Sequence, residues 1–158
     1  MARNALRNVN RSEKYEVSIV QKLVNDPDGK NVFPTIRELL CFAAMLGYAL
    51  GKKIKFPENF KKNDVSWSQF VANDSDDYIY FIAVCDTKST ECLKSDPDFD
   101  LVDIFEEYIN GGFEVISTWF LKYSNQNCLK AIISGLYDEG FIDNQNIDRE
   151  DIMKSISF

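Results

Sequence analysis

The chain has 158 residues, 45% of them apolar and 13% aromatic, with no histidine and a net charge of −7. That length and apolar content predict one folded domain with a substantial core, not a disordered chain. The missing histidine excludes Ser-His, Cys-His and His-metal chemistry within the chain.

The charge is polarised along the sequence. Residues 1–62 hold 12 Lys/Arg and 6 Asp/Glu, a net +6, whereas residues 63–158 hold 6 and 19, a net −13. A basic surface suited to nucleic acid or an acidic partner is expected beside an acidic one. No apolar run approaches ~18 residues, so no membrane span is expected. The start, MARNALRNVNRSEKYE, is basic but lacks an apolar h-region and does not read as a secretory signal, so cytoplasmic residence is the expectation. Cys41, Cys85, Cys92 and Cys128 never form CxxC, which predicts reduced packing thiols and no zinc site.

In chain order, residues 1–11 read as a basic arm and residues 12–158 as a single helical domain. Arg3, Arg7 and Arg11 recur every four residues and would share a face if the arm were helical. Ser12 reads as an N-cap, with Glu13 and Glu16 in the first turn and Val17, Ile19, Val20, Leu23 and Val24 as the apolar face. NDPDG at 25–29 turns the chain. Thr35-Ile36-Arg37-Glu38 has the form of a capping box. Leu39, Leu40, Ala43, Leu46 and Leu50 follow at helical spacing, and Gly51 suits the position just past the helix end. The small residues Ala43, Ala44 and Gly47 invite close approach of a second helix.

KKIKF at 52–56 is compatible with a short extended segment carrying Ile54 and Phe56 on one side, stopped by Pro57. Trp67 and Phe70 are expected core anchors from a loop or short helix. DDYIYFIAVC at 76–85 reads as a helix with Ile79, Ile82 and Ala83 inward, although its Tyr, Ile, Phe and Val content also allows a buried strand. Asp96-Pro97-Asp98 reads as a loop.

FEEYINGGFEVISTWF at 105–120 places Asn-Gly, a hairpin signal, inside an apolar run. Val102, Phe105, Ile109, Phe113, Ile116 and Phe120 nevertheless step by 3, 4, 4, 3 and 4, unbroken across Gly111-Gly112. Strand alternation is missing on both sides, so a helix through the glycines is predicted. Each Gly costs about 0.5–1 kcal/mol relative to Ala, and the pair therefore marks close packing of another backbone or a functional kink. A further helix is expected from Cys128 to Asp138, with Leu129, Ile132, Ile133 and Leu136 inward and Gly140 as its stop, and a short one over 148–155. The predicted fold is mainly α, a single-domain bundle of about six helices with at most a minor β element.

Sites are sparse. Asp76 or Asp77, an apolar run, then Asp86-Thr87-Lys88 has the layout of PD-(D/E)xK nucleases, whose carboxylates hold Mg²⁺. That layout needs a strand where the helical reading is preferred, and it ranks last. Phosphate-binding loops and EF-hand spacing are absent, so no cofactor or metal is expected. Arg3, Arg7, Arg11, Lys14, Lys52, Lys53, Lys55, Lys61 and Lys62 would line one side if the arm lies beside the segment after the second helix. Such point charges suit DNA phosphates or an anionic partner.

Three segments together resemble the Dnd system-associated protein 4 family: EKYE at 13–16, FPTIRELLCFAAMLGYALGKK at 33–53, and IFEEYINGGFEVI at 104–116. The resemblance covers roughly residues 10–120, and the Gly-Gly segment is its most specific part. It implies a bacterial accessory protein found with DNA phosphorothioation clusters and related anti-phage defence loci. The family has no assigned catalytic residues to carry over.

The expected function is thus a non-catalytic small subunit. It would dock onto a larger defence protein, an ATPase or nuclease, through Glu106, Glu107, Tyr108, Asn110, Gly111 and Gly112. DNA contact is an accompanying expectation, with neither a membrane nor a small-molecule substrate involved. The alternative is a stand-alone DNA-binding regulator using the basic half. The sequence leaves the oligomeric state open.

Overall fold

The computed structural model describes residues 6–94 and 100–143. Arg3, the Asp96-Pro97-Asp98 loop and the helix expected over 148–155 lie outside the described residues. The fold is mainly α and 60% helical. The elements run β1 (Val9–Ser12), α1 (Gln21–Val24), α2 (Ile36–Ala49), β2 (Lys62–Val65), α3 (Trp67–Ala72), α4 (Asp76–Thr87), α5 (Leu101–Lys122) and α6 (Cys128–Asp138). The chain divides into two compact units, Met1–Thr118 and Trp119–Phe158.

In the first unit, β1 pairs antiparallel with β2, Val9 opposite Val65 and Ser12 opposite Lys62. The small β element therefore lies at residues 9–12 and 62–65; residues 52–56, expected as extended, stay outside it. Ser12 caps the following turn by accepting from the Lys14 N–H. That turn begins as a 3₁₀ helix (Glu13–Tyr15), widens into a π turn (Glu16–Val20) and only then becomes α1. Its changing pitch buries Ile19, Val20, Leu23 and Val24 but turns Val17 out, 73% exposed, against the expected apolar face.

Helix α2 starts at Thr35, whose hydroxyl oxygen accepts from the Glu38 N–H at 3.3 Å. The same hydroxyl donates to the Glu38 carboxylate at 3.0 Å, so this pair replaces the reciprocal backbone bond of a full capping box. The helix ends in a Schellman motif. Gly51, at φ +65°, lets its own N–H reach the Tyr48 carbonyl and the Lys52 N–H reach that of Gly47. Helix α4 forms as predicted, with Ile79, Ile82 and Ala83 buried.

Helix α5 runs unbroken through Gly111-Gly112. Val102, Phe105, Ile109, Phe113 and Ile116 are buried in the phase read from the sequence. The glycines answer to α2. A Cβ on Gly112 would overlap the Ala43 carbonyl, one on Gly111 the Lys52 carbonyl, and one on Gly47 the Tyr108 carbonyl. Here two helices meet backbone to backbone, which side chains would prevent.

In the second unit, α6 is capped by Asn127, which accepts from the Lys130 N–H at 2.9 Å. Gly140, at φ +79°, ends it in a second Schellman motif: its own N–H reaches the Tyr137 carbonyl and the Phe141 N–H that of Leu136. The inward face is Ala131, Ile132, Ser134 and Gly135. Leu129, Ile133 and Leu136, expected inward, are only half-buried. The face is rotated because a Cβ on Gly135 would overlap the Trp119 ring, so the smallest residue sits where the indole packs.

Candidate nucleic-acid interface

The basic residues divide into two groups. Arg7, flanking β1, lies across the first turns of α5. Its Nε donates to Asp100 at 2.8 Å, Nη2 to Asp103 at 2.5 Å, and the two Nη atoms to both oxygens of Glu106 at 2.9 and 2.7 Å. The Asn10 N–H also donates to Glu106, at 2.6 Å. Burial pushes the Glu106 carboxyl above the usual carboxylate range, and the Arg7 fork and the Asn10 N–H work against that. The same carboxylates hold the Arg7 guanidinium firmly protonated. A planar fork facing a carboxylate is the arrangement arginine makes and lysine cannot.

Arg11 is also taken up internally. It is buried, donates through Nε and Nη2 to both oxygens of Glu16 at 3.1 and 3.2 Å, and reaches the Asp64 carbonyl at 3.4 Å. The expected helical arginine face is not seen for Arg7 and Arg11, because residues 9–12 are a strand and each of the two guanidinium groups is taken up by carboxylates of its own chain. Lys14 lies over the ring of its neighbour Tyr15, 5.1 Å from the centroid. Lys53 pairs with Asp86 at 2.9 Å and stands 3.8 Å from Glu107.

The other four behave differently. Lys52, Lys55, Lys61 and Lys62 are exposed, and among the described residues none has a carboxylate partner. Lys52, Lys55 and Lys61 lie on the segment joining α2 to β2, and Lys62 opens β2. Phe56 and Phe60 stack face to face there, centroids 3.9 Å apart and planes parallel. The turn between them passes through Asn59 at φ +59°. The stack closes the segment on itself, so Lys55 and Lys61, the immediate neighbours of the two rings, flank one hydrophobic plug. The segment's base is tied to α5 by Ile54 N–H to the Glu107 carbonyl at 3.0 Å and Asn110 Nδ2 to the Ile54 carbonyl at 3.2 Å.

The expected docking face on α5 is a correction. Glu106, Tyr108 and Asn110 are buried. Gly111 and Gly112 lie against Lys52 and Ala43, and Glu107 faces residues 52–54. Apart from the part-buried Glu107, these residues serve the interior of the first unit, where their neighbours cover them. The rarity of Gly-Gly within an amphipathic helix was a correct signal of close approach, but the approaching backbone is the chain's own.

The nuclease layout also fails. Residues 76–87 form a helix where that layout needs a strand. Asp86 instead accepts from Tyr108 Oη at 2.5 Å and from Lys53 Nζ at 2.9 Å. Burial pushes the Asp86 carboxyl up, but these two donors outweigh it and hold it below its ordinary value. Among the described residues no group of three or more His, Cys, Asp or Glu side chains is placed to hold a metal ion. None of the four cysteines is in a disulfide, and burial pushes the Cys41 thiol up to about 12. Among the described residues no helix is long and apolar enough to cross a membrane.

The chain matches a protein-family model described as DNA sulphur modification system-associated protein 4, over residues 9–155. It belongs to that family. The match reaches past residue 120, where the resemblance read from the sequence stopped, and takes in α6. No curated protein and no solved structure matches the chain. For a DNA sulphur modification system-associated protein 4, then, the exposed lysine segment at 52–62 is a feature of the matched region itself.

Proposed function

We propose that this protein is an accessory part of a DNA sulphur modification system that works by contact, holding DNA phosphates through Lys52, Lys55, Lys61 and Lys62. The observation that carries this reading is the set of four exposed lysines, unpaired among the described residues, on residues 52–62, the stretch in which Phe56 and Phe60 stack. Every other described member of the predicted basic set has a carboxylate or a ring against it. Phosphate contact needs point charges held close together, and a closed loop supplies that. The family's association with a DNA sulphur modification system favours DNA over an acidic protein as the polyanion. Docking on a larger protein of the same system is compatible with this role, but through a surface other than residues 106–112.

Fluorescence anisotropy with a labelled duplex, titrated at several salt concentrations, tests the reading. Four phosphate contacts predict a fall of log K with log salt of slope about −3.6. Lys55→Ala with Lys61→Ala should flatten that slope by about 2. Absence of binding at low salt, or an unchanged slope in the double variant, would remove the proposal.

A further inference from the structure

A groove of about 740 Å³ opens beside the first turns of α2 and the corner between α3 and α4. It belongs to the first unit and shares no residue with the lysine segment. Phe33, Phe42 and Tyr78 supply its aromatic walls, with Cys41 and Met45 also lining it, and its polar side holds Asn73, Ser75 and the Glu38 carboxylate, which any anion bound there has to face alongside Arg37. Phe33 and Phe42 are tilted at 43° to one another with centroids 5.1 Å apart. A second hollow, of about 280 Å³, shares Met45 and Tyr78 and extends to Phe81, which is exposed.

Arg37 lines the same groove. Its side chain is only 12% exposed, and among the described residues its Nε has no hydrogen-bond acceptor. The nearest carboxylate, Glu38, stands 3.8 Å from Nη2, beyond hydrogen-bond distance. The other Glu38 oxygen is held by the Thr35 hydroxyl at 3.0 Å, which keeps that carboxylate at the helix start. A largely desolvated guanidinium with donors to spare is rare, because buried polar groups are nearly always paired. Arg7 and Arg11 show the usual outcome, each with a carboxylate in its fork.

We infer that this groove is a binding site for a small aromatic anion, a flat ring carrying a phosphate or carboxylate. The oxyanion would meet the outer guanidinium nitrogens of Arg37. The ring would lie against Phe33, Phe42 and Tyr78, where offset and edge contacts are favourable. A volume of about 740 Å³ suits a ligand of nucleotide size. The inference departs from the sequence expectation of no small-molecule substrate, and it stands whether or not the lysine segment binds DNA.

Isothermal titration of the full chain with three probes tests it: 2′-deoxyadenosine 5′-monophosphate, benzoate and inorganic phosphate. The expected result is binding of at least one ring-bearing probe with a Kd below about 1 mM, and weaker binding of phosphate. The tighter of the first two distinguishes a nucleotide from an aromatic carboxylate. Arg37→Met should weaken the binding at least tenfold. Tyr78→Ser, at a half-exposed rim position where folding is not at stake, should weaken it several-fold. Equal binding of phosphate would overturn the inference, as would no binding by either ring-bearing probe, or no change in Tyr78→Ser.

Discussion

The arginines flanking and within β1 and the lysines of residues 52–62 carry like charge, yet they do opposite work. Arg11 is buried and Arg7 lies half-exposed across α5, each with its fork on a carboxylate of the first unit. Lys52, Lys55, Lys61 and Lys62 face water with no such partner among the described residues. Arginine offers a planar, weakly hydrated group that survives burial, whereas the lysine ammonium holds its water and stays outside. A count of basic residues cannot separate the two, but their chemistry and placement do.

The largest expected effect lies on the arginine side. Arg7→Met leaves the buried Glu106 carboxylate without its fork. Chemical denaturation should show a loss of about 2–3 kcal/mol, below the range for a fully buried pair because Arg7 is itself half-exposed. DNA affinity of the folded variant should stay within twofold. A stable Arg7→Met protein that no longer binds DNA would reverse the assignment of the two groups.

A smaller effect is expected from Lys53, the one lysine of 52–62 that is paired. The folded Asp86 carboxyl lies below its ordinary value of 3.8, so its contribution is present above that pH and lost as pH falls through the folded value. Stability measured against pH should therefore decline below about 3.8, and Asp86→Asn should narrow its deficit to the parent across the same window. A deficit that stays constant with pH would show that the Tyr108–Asp86–Lys53 cluster contributes by packing instead of charge. The smallest effect belongs to the unpaired lysines. Lys55→Ala with Lys61→Ala should change unfolding stability by no more than about 0.5 kcal/mol while altering the salt slope. A larger loss would mean these lysines hold the fold as the arginines do.

What the sequence made legible was local. The Thr35 cap, the two C-terminal glycines Gly51 and Gly140, and the helix through Gly111-Gly112 all follow from rules that act within a few residues. What it hid was set at long range. Residues 9–12 and 62–65 pair across some fifty intervening residues, and neither VNRS nor KNDV alternates apolar with polar. Once Arg11 is in a strand, its four-residue spacing from Arg7 loses its helical meaning. Val17 misled because the turn carrying it changes pitch from 3₁₀ to π. At the candidate interface the sequence named nine cations alike, and which of them were already taken up depended on partners it could not place: Glu106, 99 residues from Arg7, and Asp86, 33 from Lys53, although Glu16 is only five from Arg11. Arg37 was seen only as part of a capping box, and its lack of an acceptor appears only in three dimensions.

The crossing of α2 and α5 has a consequence for the lysines. At Gly47, Gly111 and Gly112 the contact is made of main chain, so there are no rotamers to freeze and none to rearrange. The Lys52 carbonyl lies in that contact, and two residues later Ile54 is bonded to Glu107 and Asn110. The root of the lysine segment is therefore built into this main-chain crossing of α2 and α5. The backbone at that end of the segment is thus set before any ligand arrives, and that part of the ordering entropy has already been met by folding, leaving the lysine side chains to be ordered on contact.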